Sequence, residues 1–146
     1  MRVKGSIDIS APPEKLWPYL TEPDKTTQWF TNLKKFEYSC EKRGLGATFH
    51  WEEESGGRIY NLDFITTEWV ENEVFGYRMT NGDFFKSYVE RWTLEATPSG
   101  CRFGFDDQIE FPWWILGKII GLFVKNRSAA DGRKIMANLV RLAEQE

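Results

Sequence analysis

Five turn signals punctuate the middle of the chain: GLG at 44–46, SGG at 55–57, ENE at 71–73, NGD at 81–83 and TPSG at 97–100. Glycine, proline and asparagine clusters at such short intervals leave room for strands and little room for helices. The stretch up to Phe111 therefore reads as a meander of antiparallel hairpins. A hairpin turn also sets the register of its two strands, and a one-residue slip would exchange their faces.

With Ser55-Gly56 as a tight turn, Trp51 lies opposite Tyr60 and Phe49 opposite Leu62. With Asn81-Gly82 as another, Met79 faces Phe84, Tyr77 faces Lys86 and Phe75 faces Tyr88. With Pro98-Ser99 as the last, Leu94 faces Phe103, Trp92 faces Phe105 and Glu90 faces Asp107. The three registers agree in putting the aromatic residues on one face. Thr48, His50, Glu52, Asn61, Asp63, Arg78, Arg91, Thr93, Arg102, Asp106, Gln108 and Glu110 fall on the other, which is read as the solvent face.

The flanks differ in period. VKGSIDIS at 3–10 alternates like a half-buried strand, and the prolines of APPEKLWPYL suit the first turn of a helix that buries Leu16, Trp17 and Leu20. A second short helix is expected near Thr21, with Pro23 in its first turn and Trp29 and Phe30 at its end. The C-terminal third predicts one long helix, opened by Pro112 and reaching about Glu144. Gly117, Gly121, Val124, Ser128, Gly132, Ile135, Leu139 and Leu142 form a stripe along it, small residues first and large ones after. Each helical glycine costs about 1 kcal/mol against alanine, so the small half of the stripe reads as room for a ligand. A close fit of helix on sheet is the plainer reading.

Residues 111–124, FPWWILGKIIGLFV, are almost wholly apolar. The run is too short for a membrane span, which needs about 20 residues. With no export signal at the N-terminus, the expected location is cytoplasmic. Trp113 and its neighbours cannot all face inward. Trp17, Tyr19, Trp29 and Phe30 of the short helices, a second protomer, or a transient membrane-surface or protein contact through 113–123 would cover them, the chain being a monomer or weak homodimer. A net charge of -3 argues against nucleic acid as a partner. One histidine and two cysteines without metal spacing give no metal site, and no cofactor is expected.

The order of elements, together with SIDISAPPEKLWPYLTEPDKTTQW at 6–29, GLGATFHW at 44–51, WTLEATPSGCRF at 92–103 and the terminal NLVRLAEQE, resembles the START-like or Bet v 1-like (SRPBCC) superfamily, particularly its polyketide cyclase/dehydrase-type members. The likeness spans nearly the whole of 1–146, read as one ligand-binding domain. It implies an α+β helix-grip fold. In that fold an antiparallel sheet of about seven strands wraps a long C-terminal helix, two short helices follow the first strand, and a hydrophobic cavity lies between sheet and helix. The superfamily holds lipid carriers, hormone-binding proteins, cyclases, quinone-binding proteins and chaperone activators, without a shared catalytic residue.

The residues expected at the ligand are Trp29, Phe49, Trp51, Tyr60, Leu62, Phe75, Tyr77, Tyr88, Trp92, Phe105 and Trp113, with Gly117 and Gly121 on the helix. Two acids intrude on the aromatic face, Glu90 and Asp107, as cross-strand neighbours with Cβ atoms about 4.5 to 5.5 Å apart. Like charges so close resist double ionisation, and a carboxyl held neutral suits acid/base work. The competing reading puts the pair at a hydrated cavity mouth, bridged by Lys86, Arg58 or a base of the last helix. Three functions follow: binding of a small hydrophobic ligand (lipid, isoprenoid, aromatic or polyketide-like), a cyclase/dehydratase using Glu90 and Asp107, or an interaction module related to chaperone activators.

Overall fold

The computed structural model describes residues 1–113 and 132–145. Strand β1 (Arg2–Ile9) leads into helices α1 (Pro13–Thr21) and α2 (Pro23–Trp29). Six strands follow: β2 (Leu33–Tyr38), β3 (Thr48–Ser55), β4 (Arg58–Val70), β5 (Val74–Gly82), β6 (Ser87–Thr97) and β7 (Gly100–Glu110). They form one seven-stranded sheet in the order β1-β7-β6-β5-β4-β3-β2, antiparallel throughout. The chain closes with helix α3, residues 132–143. This is the helix-grip arrangement.

Each short helix opens on a proline, Pro13 and Pro23, where the missing N–H is no loss. Trp29 ends α2 fully buried, its indole N–H donating to the Tyr19 carbonyl at 2.6 Å. Helix α3 buries Ile135, Leu139 and Ala143, a four-residue spacing that gives one apolar stripe. These three share a core with Trp29, Trp92, Cys101 and Phe103. Asn138 of α3 donates to the Trp29 carbonyl at 3.4 Å, and Glu144 just beyond it accepts from the Ser10 backbone at 3.0 Å. Pro112 and Trp113 are not helical, so the expected helix does not open at Pro112. Its beginning, and the stripe from Gly117 to Ser128, lie outside the described residues.

Of the three expected registers, β6–β7 holds residue for residue, with Glu90 opposite Asp107, Trp92 opposite Phe105 and Leu94 opposite Phe103. The other two are corrected. In β3–β4 the loop is Gly56-Gly57, so Trp51 meets Leu62, Phe49 meets Phe64, and Tyr60 pairs with Glu53. Both glycines have left-handed φ, 61° and 79°, which a two-residue hairpin of this twist requires at both positions and Ser55 would resist. In β5–β6 Tyr77 meets Glu90 and Phe75 meets Trp92 in place of Lys86 and Tyr88. Gly82 is no turn residue there. It continues β5 against Leu62, and an added Cβ would come within 2.7 Å of Leu62 Cδ2 and 2.5 Å of the Met79 sulfur. The chain instead turns through Asp83–Lys86, anchored where the Asp83 carboxylate accepts from the Asn61 backbone at 3.0 Å. Both slips are of an even number of residues, so the paired residues keep their expected faces, while Phe84 and Lys86 leave the strands for the loop.

Candidate functional site

Alternation along β3 to β7 lines the concave face with rings. Phe49, Trp51, Phe64, Phe75, Tyr77 and Trp92 are all within 2% of complete burial. Trp51 lies 4.8 Å from Phe64 and 5.2 Å from Tyr77 between ring centroids, and Trp92 lies 5.5 Å from both Tyr77 and Trp29. Most of these contacts are edge-on or tilted, the geometry in which each pair adds about 0.5 to 1.5 kcal/mol beyond its buried area.

Into this wall the same alternation points acids. Glu90 is 4% exposed and accepts from the Tyr88 hydroxyl at 3.1 Å and from the Trp92 indole N–H. Burial, reinforced by the charge of Asp107 opposite, pushes its carboxyl well above the usual range. Asp107 is pushed up to about 6, chiefly by burial, while its hydrogen bond with Glu90 pulls it back. A neutral Glu90 donating to an ionised Asp107 satisfies both directions. Glu90 is thus buried, while Asp107 is half-buried with its Oδ1 enclosed. Lys86, expected as a bridge, reaches Glu110 at 3.9 Å at the surface, and Arg58 is exposed beside the β3–β4 turn.

A third acid joins them from β3. Glu53 has a buried Oε2, and burial with the charge of Asp107 raises its carboxyl to about 7. The ionisation of the Tyr77 hydroxyl is opposed, after burial itself, by Glu90, Tyr88, Asp107 and Glu53, which places it among the same acids. Among the described residues, five buried polar side-chain atoms have no hydrogen-bond partner: Trp51 Nε1, Glu53 Oε2, Thr66 Oγ1, Tyr77 Oη and Asp107 Oδ1.

Sequence reasoning missed Glu53, Phe64 and Thr66. The signal was present: Trp51 faces inward, so Glu53 two residues on must do the same. An acid inside the run WEEES beside a turn otherwise reads as solvated. Tyr60, expected on the concave wall, is only partly buried and packs on Phe84 and Phe85 of the β5–β6 loop at 5.4 and 6.3 Å. Leu62, Tyr88 and Phe105 lie on the expected face, Phe105 only partly buried. Trp113 is 90% exposed and stands apart from the enclosed cluster, while Gly117 and Gly121 fall outside the described residues. His50 lies on the outer face, 2.7 Å from Asp63.

No helix among the described residues is long and apolar enough to cross a membrane.

Three comparisons place the chain. Its fold matches a protein of Thermus thermophilus with a TM-score of 0.83 at 17% identity, over 98% of this chain and 97% of that one. It matches the Zhui aromatase/cyclase of a Streptomyces species at 0.80 and 12% identity, over 99% and 93%. A START superfamily protein of Mycobacterium smegmatis matches at 0.77 and 16%, over 99% and 97%. Uncharacterised proteins of Mycobacterium bovis and Mycobacterium tuberculosis are 27% identical over 100 residues, 68% of this chain; the match spans 59% of the length of these relatives. Residues 1–144 match the family described as polyketide cyclase/dehydrase and lipid transport, and the chain belongs to that family.

Proposed function

We propose that the protein binds one small, largely apolar ligand carrying polar substituents, held against the concave aromatic face between the sheet and the C-terminal helix. One observation carries this reading: five unpartnered buried polar atoms set in an otherwise aromatic wall. Leaving a buried donor or acceptor unpaired costs about 1 to 3 kcal/mol each, and a ligand that pairs them recovers that free energy. The fold of the family supports the same reading. Mass spectrometry under native conditions, on protein freshly purified from its own host, is expected to show a bound small molecule. Quenching of Trp fluorescence by a hydrophobic probe is expected to weaken in Tyr77→Phe. Ligand-free protein that also ignores such probes would overturn the proposal.

A second reading rests on a different feature, the contact between a neutral Glu90 and an ionised Asp107. Carboxyls pushed apart in this way are an acid and a base side by side. A cyclase or dehydratase reaction would use Glu90 to protonate a departing or enolic oxygen and Asp107 to take a proton from carbon. In that case Glu90→Gln keeps ligand binding and loses turnover. Equal turnover in the variant removes Glu90 from the chemistry.

A further inference from the structure

We propose that the ligand's polar end is a protonated amine on a flat apolar body, received by Glu53 Oε2, Asp107 Oδ1 and Tyr77 Oη within the aromatic wall. This rests on the ligand-binding reading above and adds the chemical class. All three atoms are buried acceptors without a partner among the described residues. A primary ammonium has three N–H donors and no acceptor, so it matches them in number and kind. Tyr77 is a fully buried residue whose hydroxyl lies among the acids without being one of them, which makes it independent of the acidic cluster.

Charge points the same way. Among the described residues, none of Glu53, Glu90 and Asp107 forms an ion pair with a lysine, arginine or histidine. The described cations of α3, Arg133, Lys134 and Arg141, are exposed. A buried anion without a counter-charge is costly, and an incoming cation converts the cost into attraction. Trp51 and Trp92 pack edge-on with Tyr77, and aromatic rings of this kind attract an organic cation through their faces. A bare metal ion fits less well, because among the described residues no three acids or other metal ligands gather tightly enough to hold one. A carboxylate-bearing ligand would meet repulsion from Asp107 and from Glu53 as it ionises. Trp51 Nε1 is a donor only and is left for an oxygen elsewhere on the ligand.

The groups facing the amine titrate from four strands: Glu53 on β3, Tyr77 on β5, Tyr88 and Glu90 on β6, and Asp107 on β7. With Asp107 raised to about 6 and Glu53 to about 7, amine affinity should rise with pH across that interval as they ionise. The test uses titration calorimetry of the full chain with two probes of one shape, naphthylmethylamine and naphthylmethanol. At about pH 8, where the amine is still largely charged, it is expected to bind about tenfold more tightly than the alcohol. The preference should shrink at about pH 5, where the carboxyls of wild-type protein are protonated. It should also collapse in the Glu53→Gln, Asp107→Asn double variant, with near-UV circular dichroism checking the fold. The wild-type pH series decides the question should that variant unfold. Equal binding of both probes overturns the amine and leaves the ligand-binding reading standing. Binding of neither overturns both, and a preference that survives in a folded double variant or ignores pH removes these acids from the site.

Discussion

Replacing Glu90 with glutamine copies the uncharged form that burial imposes on this carboxyl. The amide keeps an acceptor for the Trp92 indole and a donor for Asp107. Stability near neutral pH is therefore expected to fall by only about 1 kcal/mol by urea denaturation, since the indole and Asp107 keep their partners and the Tyr88 hydroxyl alone loses its acceptor. Glu90→Ala removes those partners and should cost about 2 to 4 kcal/mol, from the orphaned indole and the cavity together. A glutamine variant as unstable as the alanine one would mean that Glu90 is ionised in the folded protein. Glu90 and Asp107 were legible in the sequence because their turn, Pro98-Ser99, was of a kind that fixes register unambiguously. Glu53 was legible only by parity with Trp51, and its neighbours in sequence, Glu52 and Glu54, argue locally for solvent.

At the scale of the element, the β3–β4 hairpin rests on a pair of left-handed residues. Gly57→Ala forces a Cβ into φ 79° with no neighbour to blame, since nothing lies within 4 Å of where that Cβ would be. The cost is thus backbone strain alone, about 1 to 2 kcal/mol. Asparagine, which tolerates this conformation, should cost distinctly less at the same position. Equal melting temperatures for wild type and Gly57→Ala would contradict the turn geometry. The NGD signal at 81–83 misled for a reason that is also local in origin. Gly82 is small so that the end of β5 can run close beside Leu62 of β4 and leave room for the Met79 side chain of its own strand, and a glycine required for close approach looks, in sequence, the same as one required for a turn.

Stability of the whole molecule should fall as pH rises, the reverse of the usual carboxylate effect. A carboxyl raised on folding binds more protons in the folded state than in the unfolded one, so its penalty is absent below the unfolded value and grows up to the folded value. For Glu53 that window runs from 4.5 to about 7 and corresponds to about 3 kcal/mol, with Asp107 acting in the same direction from 3.8 to about 6. Urea midpoints are therefore expected to be higher near pH 5 than near pH 8. A midpoint that climbs over that interval would refute the buried acids. Glu53→Gln should flatten the slope. The sequence by itself determined which residues share a face, because side-chain direction in a strand has period two and errors of two or four residues leave it unchanged. It also determined the number and order of the strands and the two proline-opened helices, each written in a few adjacent residues. Only the tertiary structure decided that Glu53 belongs with Asp107. In the sheet order four strand steps separate β3 from β7, roughly 19 Å in a flat sheet at about 4.8 Å per strand. The twist and curl of the whole sheet bring the two acids within reach of each other's charge, and that curvature is the sum of many small rotations that no local window of residues contains.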